Sequence, residues 1–303
     1  MRIIRFQRTR KIEMTKRYYS LFDYNNEQFG GRVYKATLDA GFSCPNEPKC
    51  VYCAQIPKNE LSVEEQWEAE KRRIYAKNPN AKICAYFGIR TNTFCSGNKL
   101  ENLLKTAENL GAFSVSIATR ADCIDDEKAD ILKSCKLPLT VELGLQTIHD
   151  KTAELISRGH SFADFLRAYE MLKMRKIRVC VHIINGLPNE DFEMMIETAK
   201  TLGQLRVDGI KIHSCHVMRG TKLAQIYESG EYVPISVEDY IEIVVRQLEV
   251  LPKETVIERL TGDGDKNLLV APNWSRDKIS VLGGIDKRMA QLDTFQGKYF
   301  CEK

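Results

Sequence analysis

At 303 residues, with 43% hydrophobic and 28% charged side chains, the chain is long enough for one large core and has no compositional case for disorder. No apolar run approaches the roughly 20 residues that span a bilayer, and no apolar stretch with a small-residue cleavage site follows the N-terminal arginines. A cytoplasmic protein with no membrane partner is therefore expected. The net charge of +4 is unevenly placed, because residues 1–17 carry seven basic side chains against Glu13, a net of +6 that leaves −2 for the remainder.

Residues 1–18 read as a basic, flexible tail that could follow a phosphate backbone. The plainer readings are a merely solvated terminus, or a start placed upstream of Met14. Beyond the tail, short β-branched runs alternate with longer stretches of helical period, the pattern of βαβ units and a parallel sheet. The expected strands are Val33–Asp39, Lys82–Gly88, Phe113–Thr119, Leu139–Leu145, Arg178–Ile184 and Gly209–His213. Between them, Leu100–Leu110, Phe162–Arg175 and Phe192–Leu205 carry apolar residues three and four apart. The fold class that follows is α/β, a partial (β/α)6 barrel spanning 19–235. Residues 236–303, opening with a helix over Val237–Leu251, read as an extension packed on that barrel.

Ten cysteines in a long chain without an export signal point to reduced thiols rather than disulfides. Cys84, Cys95, Cys123, Cys135, Cys180, Cys215 and Cys301 stand alone, as small buried hydrophobes usually do. Cys44, Cys50 and Cys53 do not: they crowd a proline-containing loop directly after the first strand, at the end where a parallel barrel gathers its ligands. Three soft donors suit a cluster iron, and three rather than four leave a coordination position open. Zinc is a rival at this point, with Cys95, Cys123 or His213 as a distant fourth ligand.

A first strand followed by three cysteines, with Tyr52 just before the last, resembles the radical S-adenosylmethionine (SAM) superfamily. Segments such as Phe29-Gly30-Gly31-Arg32, Val141-Glu142-Leu143-Gly144-Leu145-Gln146, Arg158-Gly159-His160-Ser161 and Val181-His182-Ile183-Ile184-Asn185-Gly186 resemble the bacterial YhcC/YtqA-like family related to the Elongator catalytic subunit. The likeness runs from about Tyr19 to the C-terminus. It departs at one point, since that family has a longer, glycine-rich loop between the first two cysteines and only five residues intervene here.

The resemblance implies a 4Fe-4S cluster on Cys44, Cys50 and Cys53 and SAM chelated to the open iron. Reductive cleavage of SAM would then release a 5′-deoxyadenosyl radical, with electrons from a donor such as flavodoxin or ferredoxin. It places Tyr86, Phe87 and Gly88 against the SAM amino group and Arg158 against its carboxylate, with Gln146 on the same ligand. Tyr52, Thr119, Arg120, Glu142, His182 and Gly186 complete the expected cofactor contacts. The alternative for Arg158 is a surface ion pair, and for His182 a hydrogen-bonded core histidine. Lys35, Arg259 and Asp263 read as either salt-bridged surface or mouth residues. The expected substrate is the wobble uridine of transfer RNA, modified at its 5-position from carboxymethylaminomethyl to aminomethyl. Radical chemistry on a small metabolite or protein, or a metal-binding scaffold without catalysis, are the competing readings.

Overall fold

The computed structural model describes residues 16–46, 49–54, 57–262 and 264–302. Most of the expected basic tail, together with Asp263, lies outside the described residues. The chain is anchored before residue 18, however. Arg17 Nη1 donates to Asp293 Oδ1 at 3.1 Å, and Tyr18 is buried in the core.

Nine strands are present among the described residues: β1 Val33–Thr37, β2 Lys82–Phe87, β3 Ser114–Arg120, β4 Leu139–Gln146, β5 Arg178–Asn185, β6 Gly209–Ser214, β7 Val217–Met218, β8 Val256–Arg259 and β9 Leu269–Ala271. Seven of them form one parallel, curled half-barrel sheet in the order β1-β2-β3-β4-β5-β6-β8. The six strands expected from sequence are all there. The seventh, β8, comes from the segment expected only to pack on the barrel, so residues 236–303 complete the sheet. Strands β7 and β9 pair antiparallel beyond its edge.

Alternation along the strands explains the layering. Val141, Leu143 and Leu145 of β4 are fully buried on the helix-facing side, while Glu142, Gly144 and Gln146 face the barrel interior. The helices that cover the outside begin at polar caps where the sequence places them. Ser161 and Asp164 make reciprocal bonds at the start of helix Phe162–Met174, and Ser62 with Glu65 does the same for helix Val63–Tyr75. Helix Val237–Val250 packs between helices Phe192–Gln204 and Lys278–Gln291 and adds Tyr240, Val244 and Leu248 to the core.

Helix Leu21–Phe29 lies across the N-terminal ends of the strands. Its Leu21, Tyr24, Asn25 and Phe29 close a cavity of about 250 Å³ that Lys35, Arg178 and Glu258 also line. With that end covered, the barrel opens at the C-terminal strand ends, where the cysteine loop is. No helix among the described residues is long and apolar enough to cross a membrane.

Candidate active site

The cysteine loop is fixed at both ends. Where it leaves β1, Asp39 accepts hydrogen bonds from Gly41 N at 2.9 Å, Asn59 N at 3.1 Å and Arg90 Nη1 at 2.9 and 3.0 Å. Burial pushes the Asp39 carboxyl up, but these donors prevail and hold it below the usual carboxylate range. Gln66 grips the Asp39 backbone from both sides, accepting from its N–H at 2.8 Å and donating to its carbonyl at 3.0 Å. At the far end Val51 N donates to Ile156 O at 3.0 Å, and Val51 O accepts from Leu223 N at 2.8 Å.

Three free thiols lie on this loop, Cys44 and Cys50 between the anchors and half-buried, Cys53 just past Val51 and exposed. Burial raises the Cys50 thiol, and hydrogen bonds from Tyr52 and Asn46 together with the charge of Arg120 work against that rise. Asn46 Nδ2 reaches Cys50 Sγ at 3.2 Å and Ser157 O at 2.6 Å, so one amide ties the ligand loop to the turn after β4. Among the described residues no three His, Cys, Asp or Glu side chains converge on one point as a single ion requires. An iron–sulfur cluster instead offers each thiolate its own iron, and soft donors spread along one loop fit it. Cys95 and Cys123, weighed as distant zinc ligands, have other surroundings. Cys95 Sγ contacts Asn92 O, and burial pushes the Cys123 thiol up to about 12.

The turn 156–161 supports this loop. Arg120 Nη1 donates to Arg158 O at 2.6 Å while its other nitrogens pair with Asp122. Gly159 has φ +80°, and a Cβ there would lie 2.2 Å from Asn46 Oδ1 and 3.1 Å from Arg120 Nη2, which requires glycine.

Arg158, expected against the SAM carboxylate, is placed inside the protein. Its side chain is 1% exposed, and its guanidinium donates to the carbonyls of Leu145 (2.6 Å), Thr147 (2.5 Å) and His160 (2.8 Å), with Asp150 at 3.4 Å. Its Nε and Nη1 are committed to backbone carbonyls and its Nη2 pairs with the Asp150 carboxylate, so most of its donors are used within the chain. It holds Gln146 instead, which stands at the β4–β5 bulge with φ +66°, an uncommon conformation for a side chain of that kind.

Three other residues expected at the cofactor have polar groups engaged within the chain. Thr119 is buried on the helix side of β3, where its Oγ1 bonds Thr93 Oγ1 at 2.5 Å, because its neighbours Ser116 and Arg120 take the interior parity. The Phe87 side chain is likewise buried on the helix side, and its carbonyl accepts from Asn92 Nδ2 at 2.9 Å. Gly186 has both backbone groups engaged, its N–H by Met195 S at 3.1 Å and its carbonyl by Tyr232 Oη at 2.7 Å. At Gly88 the Tyr86 ring folds across the place a Cβ would occupy.

Inside the barrel, polar side chains converge on Glu142. It accepts from Lys35 Nζ (2.6 Å), Ser116 Oγ (2.7 Å), Tyr86 Oη (3.0 Å), Lys211 Nζ and His182 Nε2 (2.9 Å). Burial alone raises its pKa, yet Lys35, Lys211 and His182 hold it well below the ordinary range. Burial, then Lys211, keeps His182 below its ordinary value, so a neutral imidazole meets the Glu142 carboxylate. Lys35 also meets Glu258, which Arg178 Nη1 pairs at 2.7 Å. Lys35 is thereby an interior residue.

Above this layer a cavity of about 440 Å³ opens beside the cysteine loop, lined by Tyr52, Gln146, His182, His213, His216 and Arg259 among others. His213 and His216 were not singled out as mouth residues in the sequence. The period-two run Gly209, Lys211, His213 on β6 was the available signal. His216 lies under a glycine turn, since a Cβ on Gly262 or Gly264 would meet its ring at 2.4 or 2.7 Å.

Residues 41–202 match the model of the Radical SAM superfamily, and residues 207–291 that of the Radical_SAM C-terminal domain. The chain belongs to the radical SAM superfamily. This radical SAM chain is 40% identical to the uncharacterized protein YtqA of Bacillus subtilis, over 94% of this chain and 93% of that protein. It is 30% identical to YhcC of Escherichia coli K12 over 86% and 88% of the two chains. It is 32% identical to the tRNA uridine(34) acetyltransferase of Methanocaldococcus jannaschii over 56% of this chain but only 32% of that protein. Among solved structures, Methanocaldococcus infernus Elp3 lacking its N-terminus superposes with a TM-score of 0.67 at 21% identity. That likeness, over 87% of this radical SAM chain and 64% of the Elp3 chain, shows the fold.

Proposed function

We propose that this radical SAM enzyme carries a 4Fe-4S cluster on Cys44, Cys50 and Cys53 and acts on the wobble uridine of transfer RNA, converting a carboxymethylaminomethyl group at its 5-position to aminomethyl. One observation carries the site assignment: Tyr52 and Ala54, the residues on either side of Cys53, line the same cavity as Gln146, His182 and Arg259, so the cysteine loop and the strand-end polar groups border one chamber. The uridine reading is supported by the 32% identity to a relative named for tRNA uridine 34, over about half of this chain.

When bound, the cluster and SAM supply one-electron cleavage and with it a radical that takes hydrogen from the substrate. The chain's own residues position and insulate that chemistry. Asp39, Gln66 and Arg90 fix the entry of the ligand loop, and Asn46 with Tyr52 hydrogen-bonds the Cys50 sulfur. Gln146 offers a donor and an acceptor to the bound ligand from a backbone set by Arg158. The Glu142 network closes the floor of the chamber with satisfied polar groups. Electrons would come from a small electron-carrier protein such as flavodoxin or ferredoxin, meeting the exposed side of the loop at Cys53.

The test is anaerobic. Purified protein with reconstituted cluster, reductant and SAM is incubated with transfer RNA from cells lacking the gene, and nucleosides are read by mass spectrometry. Conversion of carboxymethylaminomethyluridine to aminomethyluridine is the expected result. SAM cleavage with an unchanged wobble-uridine profile would reject the RNA reading and leave a metabolite or protein as substrate. Colourless protein with stoichiometric zinc would reject the cluster.

A further inference from the structure

His213 occupies the interior face of β6 two residues beyond Lys211, on the wall of the mouth cavity. Its ring centroid is 5.5 Å from that of His182. Lys35, Tyr86, Ser116, His182 and Lys211 each give a polar atom to Glu142. His213 stands apart from that network. Its Nε2 is buried and has no hydrogen-bond partner among the described residues. Native proteins rarely leave such an atom unsatisfied, because it has lost water and gained nothing. A partner that arrives with the ligand accounts for it, since His213 lines the cavity that Tyr52 of the cysteine loop also lines.

The surroundings say what that partner is. Burial, then His182, Arg259 and Lys211, hold the imidazole well below its ordinary value, so it is neutral and one ring nitrogen carries a hydrogen. Cationic neighbours favour an anionic acceptor over a second donor. The substrate of the proposed reaction has such a group and its product does not.

We infer that His213 is the residue that recognises the substrate's carboxylate, its Nε2–H donating to a carboxylate oxygen of the uridine side chain beside Arg259. The assignment rests on the proposed uridine reading and deepens it. It makes His213 a specificity-determining residue, since aminomethyl product lacks the acceptor and leaves the chamber without competing for it.

The experiment uses the reconstituted enzyme and transfer RNA from cells lacking the gene. His213→Ala is expected to raise KM for that RNA by about 10- to 100-fold, the loss of one hydrogen bond to a charged group, with kcat little changed. His213→Gln, which keeps an N–H donor, should recover most of the affinity. SAM affinity by equilibrium dialysis should be the same in all three proteins. His213→Leu should match or exceed the wild-type Tm while showing the Ala defect, because it removes an unpaired buried atom.

An unchanged KM in His213→Ala overturns the inference while the uridine reading stands. So does a SAM affinity that falls in step with KM, which would put His213 on the cofactor. A lowered Tm in His213→Leu, with no rescue by Gln, would make the residue structural and likewise overturn it. Failure of the uridine reading itself shows in the wild-type reaction, as unmodified transfer RNA, and removes this inference with it.

Discussion

Arg158 holds Gln146 from both sides: its Nη1 donates to the carbonyls of Leu145 at 2.6 Å and Thr147 at 2.5 Å, the residues flanking Gln146. The third bond, from Nε to His160 O at 2.8 Å, ties the same side chain to the turn that supports the cysteine loop. Replacing Arg158 with lysine keeps the charge but cannot satisfy three carbonyls with one planar fork. Arg158→Lys should lose about 2–4 kcal/mol in urea unfolding, because buried carbonyls go unpaired. A direct grip on the SAM carboxylate predicts the opposite pattern, weakened SAM binding at unchanged stability.

Gln146 is the residue whose side chain remains available once Arg158 is accounted for. Its backbone sits at φ +66°, which glycine adopts freely and a β-branched residue strongly resists. Gln146→Gly should therefore stay within about 1 kcal/mol of wild-type stability, while Gln146→Val loses about 1–3 kcal/mol. Both should bind SAM more weakly, since both remove the amide. Equal stability losses in the two variants would mean the backbone conformation is not what restricts this position.

Gly159 joins the turn to the ligand loop through space rather than through a bond. A methyl group there would fall 2.2 Å from Asn46 Oδ1, and Asn46 is the residue that bonds Cys50 Sγ. Gly159→Ala should displace Asn46 and reduce iron and sulfide per chain after anaerobic reconstitution, with the protein still folded by circular dichroism. A full iron complement in that variant would show that the loop is set without Asn46.

Much of the site was legible because strand ends and cysteine spacing are local. Cys44, Cys50, Cys53, Gln146 and His182 fall on the open end of the barrel because period-two alternation and the loop after β1 put them there. What was illegible depended on distant partners. An arginine in Arg158-Gly159-His160-Ser161 reads alike whether it meets a ligand or three carbonyls. Thr119 lies one residue before the end of β3, but Thr93, 26 residues away, claims its hydroxyl. Strand β8 escaped notice because Val256–Arg259 is four residues long, half of them charged, and becomes a strand only by pairing with β6. Those two charges are interior chemistry: Glu258 faces Arg178 and Lys35 from across the sheet.

Glu258 gives that pairing a measurable pH signature. Burial would raise its carboxyl, but Arg178 and Lys35 prevail and bring it down to about 2. A folded-state pKa below the ordinary value stabilises the protein above the unfolded pKa and ceases to do so as pH falls through the folded one. Glu258→Gln keeps the shape and removes the charge, leaving Arg178 and Lys35 buried beside a neutral amide. At pH 7 the variant should be less stable on the order of 3 kcal/mol. That gap should narrow as pH drops from about 4.5 towards 2, because protonation then neutralises the wild-type side chain as well. Urea unfolding of both proteins at pH 7, 5, 4 and 3 reads the gap directly. A gap that stays constant down to pH 3 would mean the loss comes from hydrogen-bond geometry, with the charge of Glu258 contributing nothing to holding β8 against the sheet.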